Sequence, residues 1–202
     1  MNKLKKFVED GGYIFSEDWV LTEFLQEAWG HLVRAGQYLR DQKVDVYPAP
    51  GATAEPLMRG VFVSKSGQID KPISGELLKG EKWRTSPAED TQRIGEAIKG
   101  ALKAPSAEWV IDDESPWIEV MNKNEVLILM RSKKLASDAN VKGNDTVAFT
   151  FKAGKGRILH VLSHFGRQNN AEGDFDLQNL LLNFLMEAYR VNKQLQQQGA
   201  GK

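Results

Sequence analysis

The chain has 202 residues, 41% of them hydrophobic, which is enough apolar material for one buried core. Its 27 basic and 27 acidic residues give a formal net charge of zero, so we expect no binding to nucleic acid and no membrane contact. The absence of cysteine excludes disulfides, thiolate metal sites and a cysteine nucleophile. With no signal peptide or membrane span in the sequence, we expect a soluble protein, cytoplasmic by default, or a soluble portion of a longer one.

The first predicted unit is a helix followed by a strand. Residues 4–9 have the pattern of a helix end, two glycines terminate it, and the apolar residues 13–15 predict a short strand. Residues 16–18 lie where this strand turns into a second helix, in which apolar residues recur at helical spacing over 20–33. A second strand is predicted at 44–47. This order is typical of α/β domains.

The middle of the chain gives a weaker signal. Residues 64–105 are rich in Gly, Lys, Pro and Ser, which predicts an insertion or a long loop region, with one helix at 91–102. Beyond it, the apolar runs 109–111 and 125–131 predict two further strands.

The C-terminal third carries the clearest pattern. Residues 146–151 and 157–162 predict a β-hairpin, antiparallel by its short glycine-rich turn. A core helix is predicted over 174–189, and a disordered tail over 197–202. One helical face would be formed by Leu177, Leu180, Leu181, Phe184, Leu185 and Ala188. The order of elements predicts a single three-layer α/β domain over 1–196 with a mixed sheet.

Four segments resemble a known family. GRILHVLSHF at 156–165, LQNLLLNFLMEA at 177–188, FVEDGGYIFSEDW at 7–19 and TAEPLMRGV at 53–61 are similar to segments of class I glutamine amidotransferase-like domains, including the trehalose-utilisation-type branches. The resemblance implies a flavodoxin-like sandwich with a mostly parallel sheet.

The sequence departs from that family at two places. Catalytic members carry a cysteine at the turn after the early strand, where this chain reads Phe15-Ser16-Glu17-Asp18. Cysteine-dependent amidotransferase activity is therefore excluded. The strands that precede this turn in the family are also missing, so we expect a trimmed fold or the C-terminal portion of a longer polypeptide. An open sheet edge would then invite a protein partner or self-association.

His164 is the first candidate for catalysis, because it matches the place of the family's catalytic histidine. Ser16 could be a nucleophile with His164 as its base and Glu17 or Asp18 as the orienting group. The alternative is that Ser16 and Asp18 only cap the following helix. The bulky flanks of Ser16 favour capping, since a nucleophile elbow needs small neighbours.

Two further groups of residues are candidates for binding. Asp112, Asp113 and Glu114 could offer oxygen ligands to a divalent ion, although three consecutive carboxylates in an extended chain cannot all face one site, and a turn is the simpler interpretation. Arg167 and Gln168, just after His164, are candidate ligand contacts.

Two functions follow from this pattern. The first is a non-catalytic amidotransferase-like domain that binds a ligand or assembles proteins, with no cofactor. The alternative is a hydrolase that uses Ser16 or a metal-bound water with His164 and nearby carboxylates. The hydrolase requires His164 to lie within about 4 Å of Ser16, Glu17 or Asp18.

Overall fold

A computed structural model describes residues 1–62, 107–168 and 171–199. The predicted insertion at 64–105, with its helix at 91–102, lies outside the described residues. Among the described helices, none is both long and apolar enough to cross a membrane.

The described chain contains both helices and strands, as predicted for an α/β domain, although several strands follow one another directly. Short 3₁₀ turns cover Ala52–Ala54, Pro56–Met58 and Ala139–Val141. The main elements, in chain order, are α1 (Asn2–Glu9), β1 (Tyr13–Glu17), a π-helical turn (Leu21–Leu25), α2 (Gln26–Trp29), β2 (Val33–Tyr38), β3 (Gln42–Pro48), β4 (Ala107–Ile111), β5 (Pro116–Val120), β6 (Val126–Arg131), α3 (Lys133–Ser137), β7 (Thr146–Ala153), β8 (Gly156–Val161) and α4 (Ala171–Gly199).

Six of the eight described strands form one mixed sheet in the order β1-β8-β7-β6-β3-β4. Only β1 and β8 are parallel, whereas β8 with β7, β7 with β6, β6 with β3 and β3 with β4 are antiparallel. The prediction of a mostly parallel sheet is therefore wrong for the described strands. Successive strands such as β7 and β8 are joined by short turns, and a short turn cannot make the crossover that parallel neighbours need. The predicted antiparallel C-terminal hairpin is present.

The second predicted helix ends earlier than its apolar spacing indicates. The helical segment stops at Trp29, and Val33 begins β2, which pairs with β5 in a separate two-stranded sheet. Neither β2 nor β5 was expected. Leu32 and Val33 are both buried, and they pack into the core from a turn and from a strand. Their agreement with the helical period is therefore a coincidence.

The turn between β7 and β8 fits tightly against the end of α1. Gly154 has a φ of +59°, and a Cβ on it would lie 2.5 Å from the carbonyl oxygen of Glu9. A Cβ on Gly156 would lie 2.1 Å from the carbonyl oxygen of Gly12. Glycine is required at both positions because backbone atoms occupy the space of a side chain. This close approach aligns the start of β1 with the start of β8.

Helix α4 covers the β1–β8 side of the sheet with only part of its predicted apolar face. Leu177, Leu180 and Phe184 are buried, but Leu185 is 55% exposed. The predicted face is therefore wider than the described sheet beneath it. The helix continues to Gly199, which includes the first residues of the predicted tail, and residues 200–202 lie outside the described part.

A partly buried ion pair fixes α4 to the sheet. Arg157 in β8 donates from Nη1 to both carboxylate oxygens of Glu187 in α4, at 2.9 and 2.8 Å. Its Nε donates to Thr150 Oγ1 in β7 at 2.9 Å. Tyr13 also donates to Glu187 at 3.2 Å, and burial with the neighbouring carboxylate raises the pKa of Tyr13 to about 12. Three strands and the helix thus share one polar anchor.

Candidate functional site

The candidate site lies where the two parallel strands end. Glu17, the last residue of β1, stands in register with Val161, the last residue of β8. Asp18 directly follows β1, and His164 lies three residues beyond the end of β8. The two side chains therefore meet just beyond the carboxyl ends of these strands. In α/β sheets, ligands bind at the carboxyl ends of parallel strands because loops there leave side chains free to converge.

Asp18 and His164 form the central contact. The Nδ1 atom of His164 lies 2.6 Å from Oδ2 of Asp18. The other oxygen of Asp18 accepts a hydrogen bond from Ser115 Oγ at 2.5 Å. Asp18 is almost fully buried and its φ is +47°, a backbone conformation that aspartate tolerates better than most residues. A predicted orienting residue is thus held on both carboxylate oxygens.

Glu17 completes a group of three potential ligands. One oxygen each from Glu17 and Asp18 and one nitrogen of His164 all lie within 4.8 Å of one another. Glu17 Oε1 accepts a hydrogen bond from the backbone N–H of Phe165 at 3.0 Å. Burial raises the pKa of Glu17 and that of Asp18, because both carboxylates lose water and lie near other acidic groups.

Of the three consecutive acidic residues after β4, only Asp112 reaches this group. Its Oδ2 lies 4.0 Å from His164 Nδ1 and 3.5 Å from Arg167 Nη1. Its Oδ1 accepts a hydrogen bond from the backbone N–H of Glu114 and lies 3.2 Å from Ser115 Oγ, whose single proton is shared between this oxygen and the closer Asp18. Asp113 and Glu114 are exposed. Of these three candidate ligands, Asp112 is the one that lies near His164, whereas Asp113 and Glu114 belong to an exposed turn.

Ser16 is not placed for catalysis with His164. Its Oγ lies 3.0 Å from Nδ1 of His160 and 3.4 Å from the carbonyl oxygen of Leu159, in the interior of the β1–β8 pair. Both Ser16 and His160 are buried. The structure does not show the predicted capping by Ser16 either. The serine nucleophile is therefore incorrect, because strand register directs Ser16 into the core.

Gln168 holds the loop that carries His164. Its Oε1 accepts from the backbone N–H of Val110 in β4 at 2.9 Å, and its Nε2 donates to Ser163 Oγ at 2.6 Å and to the carbonyl oxygen of His164 at 3.1 Å. The side chain is fully buried, so it positions His164 and is not an open ligand contact. Arg167, in contrast, is largely exposed beside Asp112.

Ser115 and Ser163 are site-supporting residues that the sequence pattern did not reveal. Ser163 Oγ donates to the carbonyl oxygen of Val110 at 2.6 Å and thereby ties the loop after β8 to β4. Ser115 joins Asp18 to Asp112. Their only sequence signal is a position next to His164 or within an Asp-Glu-Ser-Pro turn, and serine is common at such places for local reasons.

A groove of about 400 Å³ opens beside the three-residue group. His164 and Glu17 line its polar end, while Phe15, Trp19 and Leu181 line its apolar walls. Trp19 is 48% exposed, in contrast to Trp29, which is buried. An apolar groove with a few convergent polar groups is the usual form of a small-ligand site.

Comparisons with known proteins do not establish a family. No protein-family model matches the chain, and no curated protein matches it either. Among solved structures, a β-galactosidase from Rahnella sp. R3 has a TM-score of 0.46 at 13% identity, over 92% of this chain and 20% of its own. A β-galactosidase from Bacillus circulans sp. alkalophilus has a TM-score of 0.44 at 12% identity, with the same coverages of 92% and 20%.

A putative ThuA-like protein from Parabacteroides merdae is similar at a comparable level. Its TM-score is 0.45 at 13% identity, over 93% of this chain and 63% of its own. The chain thus spans about a fifth of the two β-galactosidases and less than two thirds of the ThuA-like protein. TM-scores below 0.5 do not establish a common fold, so the family resemblance stays a prediction.

Proposed function

We propose that this chain is a ligand-binding α/β domain that binds a divalent cation through Glu17, Asp18 and His164. The observation that carries the proposal is the convergence of their ligand atoms within 4.8 Å at the ends of β1 and β8. The amidotransferase-like resemblance is part of this proposal. We also propose that the sheet around β1 and β8 belongs to a three-layer, flavodoxin-like arrangement in which α4 is the layer on one face.

The donor set selects the kind of cation. One imidazole nitrogen with two carboxylate oxygens suits Zn²⁺ or Mn²⁺, whereas Mg²⁺ and Ca²⁺ prefer oxygen ligands alone. Asp112 lies close enough to His164 to contribute a further oxygen or to hold a water on the ion. This expectation departs from the sequence-based one, which included no cofactor.

The electrostatics of the site also favour a cation. Two carboxylates with raised pKa values lie side by side, and burial makes their joint ionisation costly. The side chain of Arg167 is 60% exposed, and its Nη1 lies 3.5 Å from Asp112. A bound divalent ion would supply the missing positive charge directly between the carboxylates.

Titration calorimetry with Mn²⁺ and Zn²⁺ tests the proposal. We expect saturable binding by the unaltered protein and at least about tenfold weaker binding by Asp18→Asn and by His164→Ala. His31→Ala is the matched control, because His31 is exposed in a turn outside the site and should not affect affinity. Absence of binding by the unaltered protein, or equal losses in all three variants, would contradict the proposal.

Trp19 provides an independent readout. It lines the groove beside His164, so a bound paramagnetic Mn²⁺ should quench its fluorescence. Trp19→Phe should abolish most of that change while calorimetric affinity stays within about twofold. Quenching that persists in Trp19→Phe would place the ion elsewhere.

A hydrolase is the second candidate, and the contact between Asp18 and His164 favours it. A carboxylate at 2.6 Å from a histidine nitrogen orients the imidazole and strengthens it as a base. With Ser16 buried against His160, the nucleophile in this candidate is water. Activated esters such as p-nitrophenyl acetate provide the test: turnover that is lost in His164→Ala supports the hydrolase, and turnover that survives this change rejects it.

A further inference from the structure

Strand β1 has an open edge in the described part of the chain. It is the first strand of the six-stranded sheet and pairs with β8 only. The carbonyl oxygen of Gly12 accepts from the N–H of Arg157, and the N–H of Asp18 donates to the carbonyl oxygen of Val161. Because backbone groups alternate along a strand, even-numbered residues face β8. The N–H and C=O groups of Tyr13, Phe15 and Glu17 therefore point away from the sheet.

The apolar surface beside this edge extends past the described sheet. Phe15 lines the groove near His164 and also a second groove along α1 and α4. The second groove is lined by Phe7 and Leu185, which are 52% and 55% exposed. Helix α4 therefore overhangs β1 with apolar side chains that a further strand would cover.

Among the described residues, β1 lacks three of the features that keep edge strands single. β1 reads Tyr-Ile-Phe-Ser-Glu, with no proline, no lysine and no irregularity in its register with β8. Natural sheets protect open edges with such features because an unprotected edge pairs with other chains. A flat, apolar edge beside an uncovered helix face is typical of an interface.

We propose that β1 pairs with β1 of a second copy of this chain, antiparallel across a two-fold axis at Phe15. This register places Phe15 opposite Phe15 of the other copy and Tyr13 opposite its Glu17. All six outward backbone groups then find partners, because each of these pairs exchanges two hydrogen bonds. The two six-stranded sheets would join into one, and the overhanging part of α4 in each copy would cover the other copy's strand.

Charge supports the antiparallel choice. The chain that enters β1 carries three lysines and two acidic residues, a net charge of +1, whereas Glu17 and Glu23 lie at and beyond its other end. Antiparallel pairing brings the basic end of one copy beside the acidic end of the other, and parallel pairing would place like charges together. A two-fold axis is also the commonest symmetry of homo-oligomers.

A cysteine crosslink tests the register, since the chain has no cysteine of its own. Directly opposed residues in such a pair have Cα atoms about 5.5 Å apart, within the range of a disulfide. Phe15→Cys should therefore form a disulfide-linked dimer under air oxidation, and the exposed control Met186→Cys should not. Equal crosslinking by both, or none by Phe15→Cys, would overturn the register.

Light scattering after size exclusion tests the surface with little risk to folding. Leu185 and Met186 are 55% and 54% exposed, and they point about 100° apart around the helix. We expect the unaltered protein to be a dimer, Leu185→Glu to weaken it at least about tenfold, and Met186→Glu to leave it unchanged. A monomer at every concentration, or equal effects of the two substitutions, would refute the proposal.

Discussion

The β1–β8 pair has two contacts between a histidine and a polar side chain, one in the interior of the pair and one at its edge, just beyond the carboxyl ends of the strands. In the interior, Ser16 of β1 contacts His160 of β8 at 3.0 Å. At the edge, Asp18 contacts His164 at 2.6 Å, just beyond the ends of the same strands. Each unit joins a polar residue of one segment to a histidine of the other. Of the two histidines, His164 lines the groove, and His160 is not among the groove's lining residues.

Burial determines what each histidine can do. His160 is fully buried, which lowers its pKa to about 3, so it stays neutral at physiological pH. Ser16 makes both of its contacts if His160 Nδ1–H donates to Ser16 Oγ and the serine hydroxyl donates to the carbonyl of Leu159, while Nε2 of His160 is buried without a hydrogen-bond partner among the described residues. His164 is partly exposed and faces acidic groups. One histidine therefore supports packing, and the other is available to a ligand.

The largest expected effect separates the two histidines by stability. His160→Ala should lower the free energy of unfolding by roughly 2–4 kcal/mol, because it leaves a cavity against Phe149 and removes the partner of Ser16. His164→Ala should change it by less than about 1 kcal/mol. Urea unfolding followed by circular dichroism measures both.

Cation affinity should show the reverse order. His164→Ala is expected to lose binding, whereas folded His160→Ala should bind Mn²⁺ or Zn²⁺ within about threefold of the unaltered protein. If both substitutions affect stability and affinity alike, the two units are not separate.

The second effect is a dependence of stability on pH. The folded pKa of His160 is about 3, below its ordinary value of 6.5. The unfolded chain therefore takes up a proton that the folded chain refuses, and stability is lost as pH falls below 6.5 by up to about 1.4 kcal/mol per pH unit. The raised pKa values of Glu17 and Asp18 have the opposite effect on stability. These carboxylates take up protons more readily in the folded chain, so they favour folding as the pH falls.

Comparison with His160→Asn isolates the contribution of this histidine. Asparagine does not titrate and can keep the contact to Ser16. The difference in the free energy of unfolding between the unaltered protein and His160→Asn should therefore shrink by about 2 kcal/mol between pH 7 and pH 5. A constant deficit for His160→Asn would mean that His160 takes up a proton as readily in the folded chain as in the unfolded one.

Local patterns predicted one part of the molecule well. The helix, glycines and strand before Ser16 are present, and so is the hairpin of β7 and β8, because turn residues and short apolar runs act over a few positions. The second helix was predicted too long. Apolar residues at 32 and 33 continued its period although the chain had already turned at Gly30.

The site depended on information that local patterns lack. The parallel pairing of β1 with β8 sets Ser16 opposite His160, and a shift of one residue would have changed which side chains face the core. Their spacing of four residues would place His160 and His164 on one face of a continuous strand, but β8 ends at Val161, so of the two only His160 belongs to it. The sequence could nominate Asp18, Glu17 and His164 as neighbours of strand ends, but not select Asp18 as the contact.

The smallest expected effect concerns Asp18 and tests whether the edge unit is maintained for function at a cost in stability. Burial raises the pKa of Asp18, so its ionised form destabilises the folded protein above that pKa, and the cost is relieved as the pH falls. Asp18→Asn removes the charge, still accepts from Ser115 and tolerates the φ of +47°. We expect the metal-free variant to be about 0.5–1 kcal/mol more stable at pH 7, by urea unfolding in the presence of a chelator.

Because the same substitution should weaken cation binding, a gain in stability with a loss of affinity is the combination expected of a ligand residue. A loss of stability beyond about 1 kcal/mol would instead make Asp18 a structural partner of His164, as Ser16 is of His160.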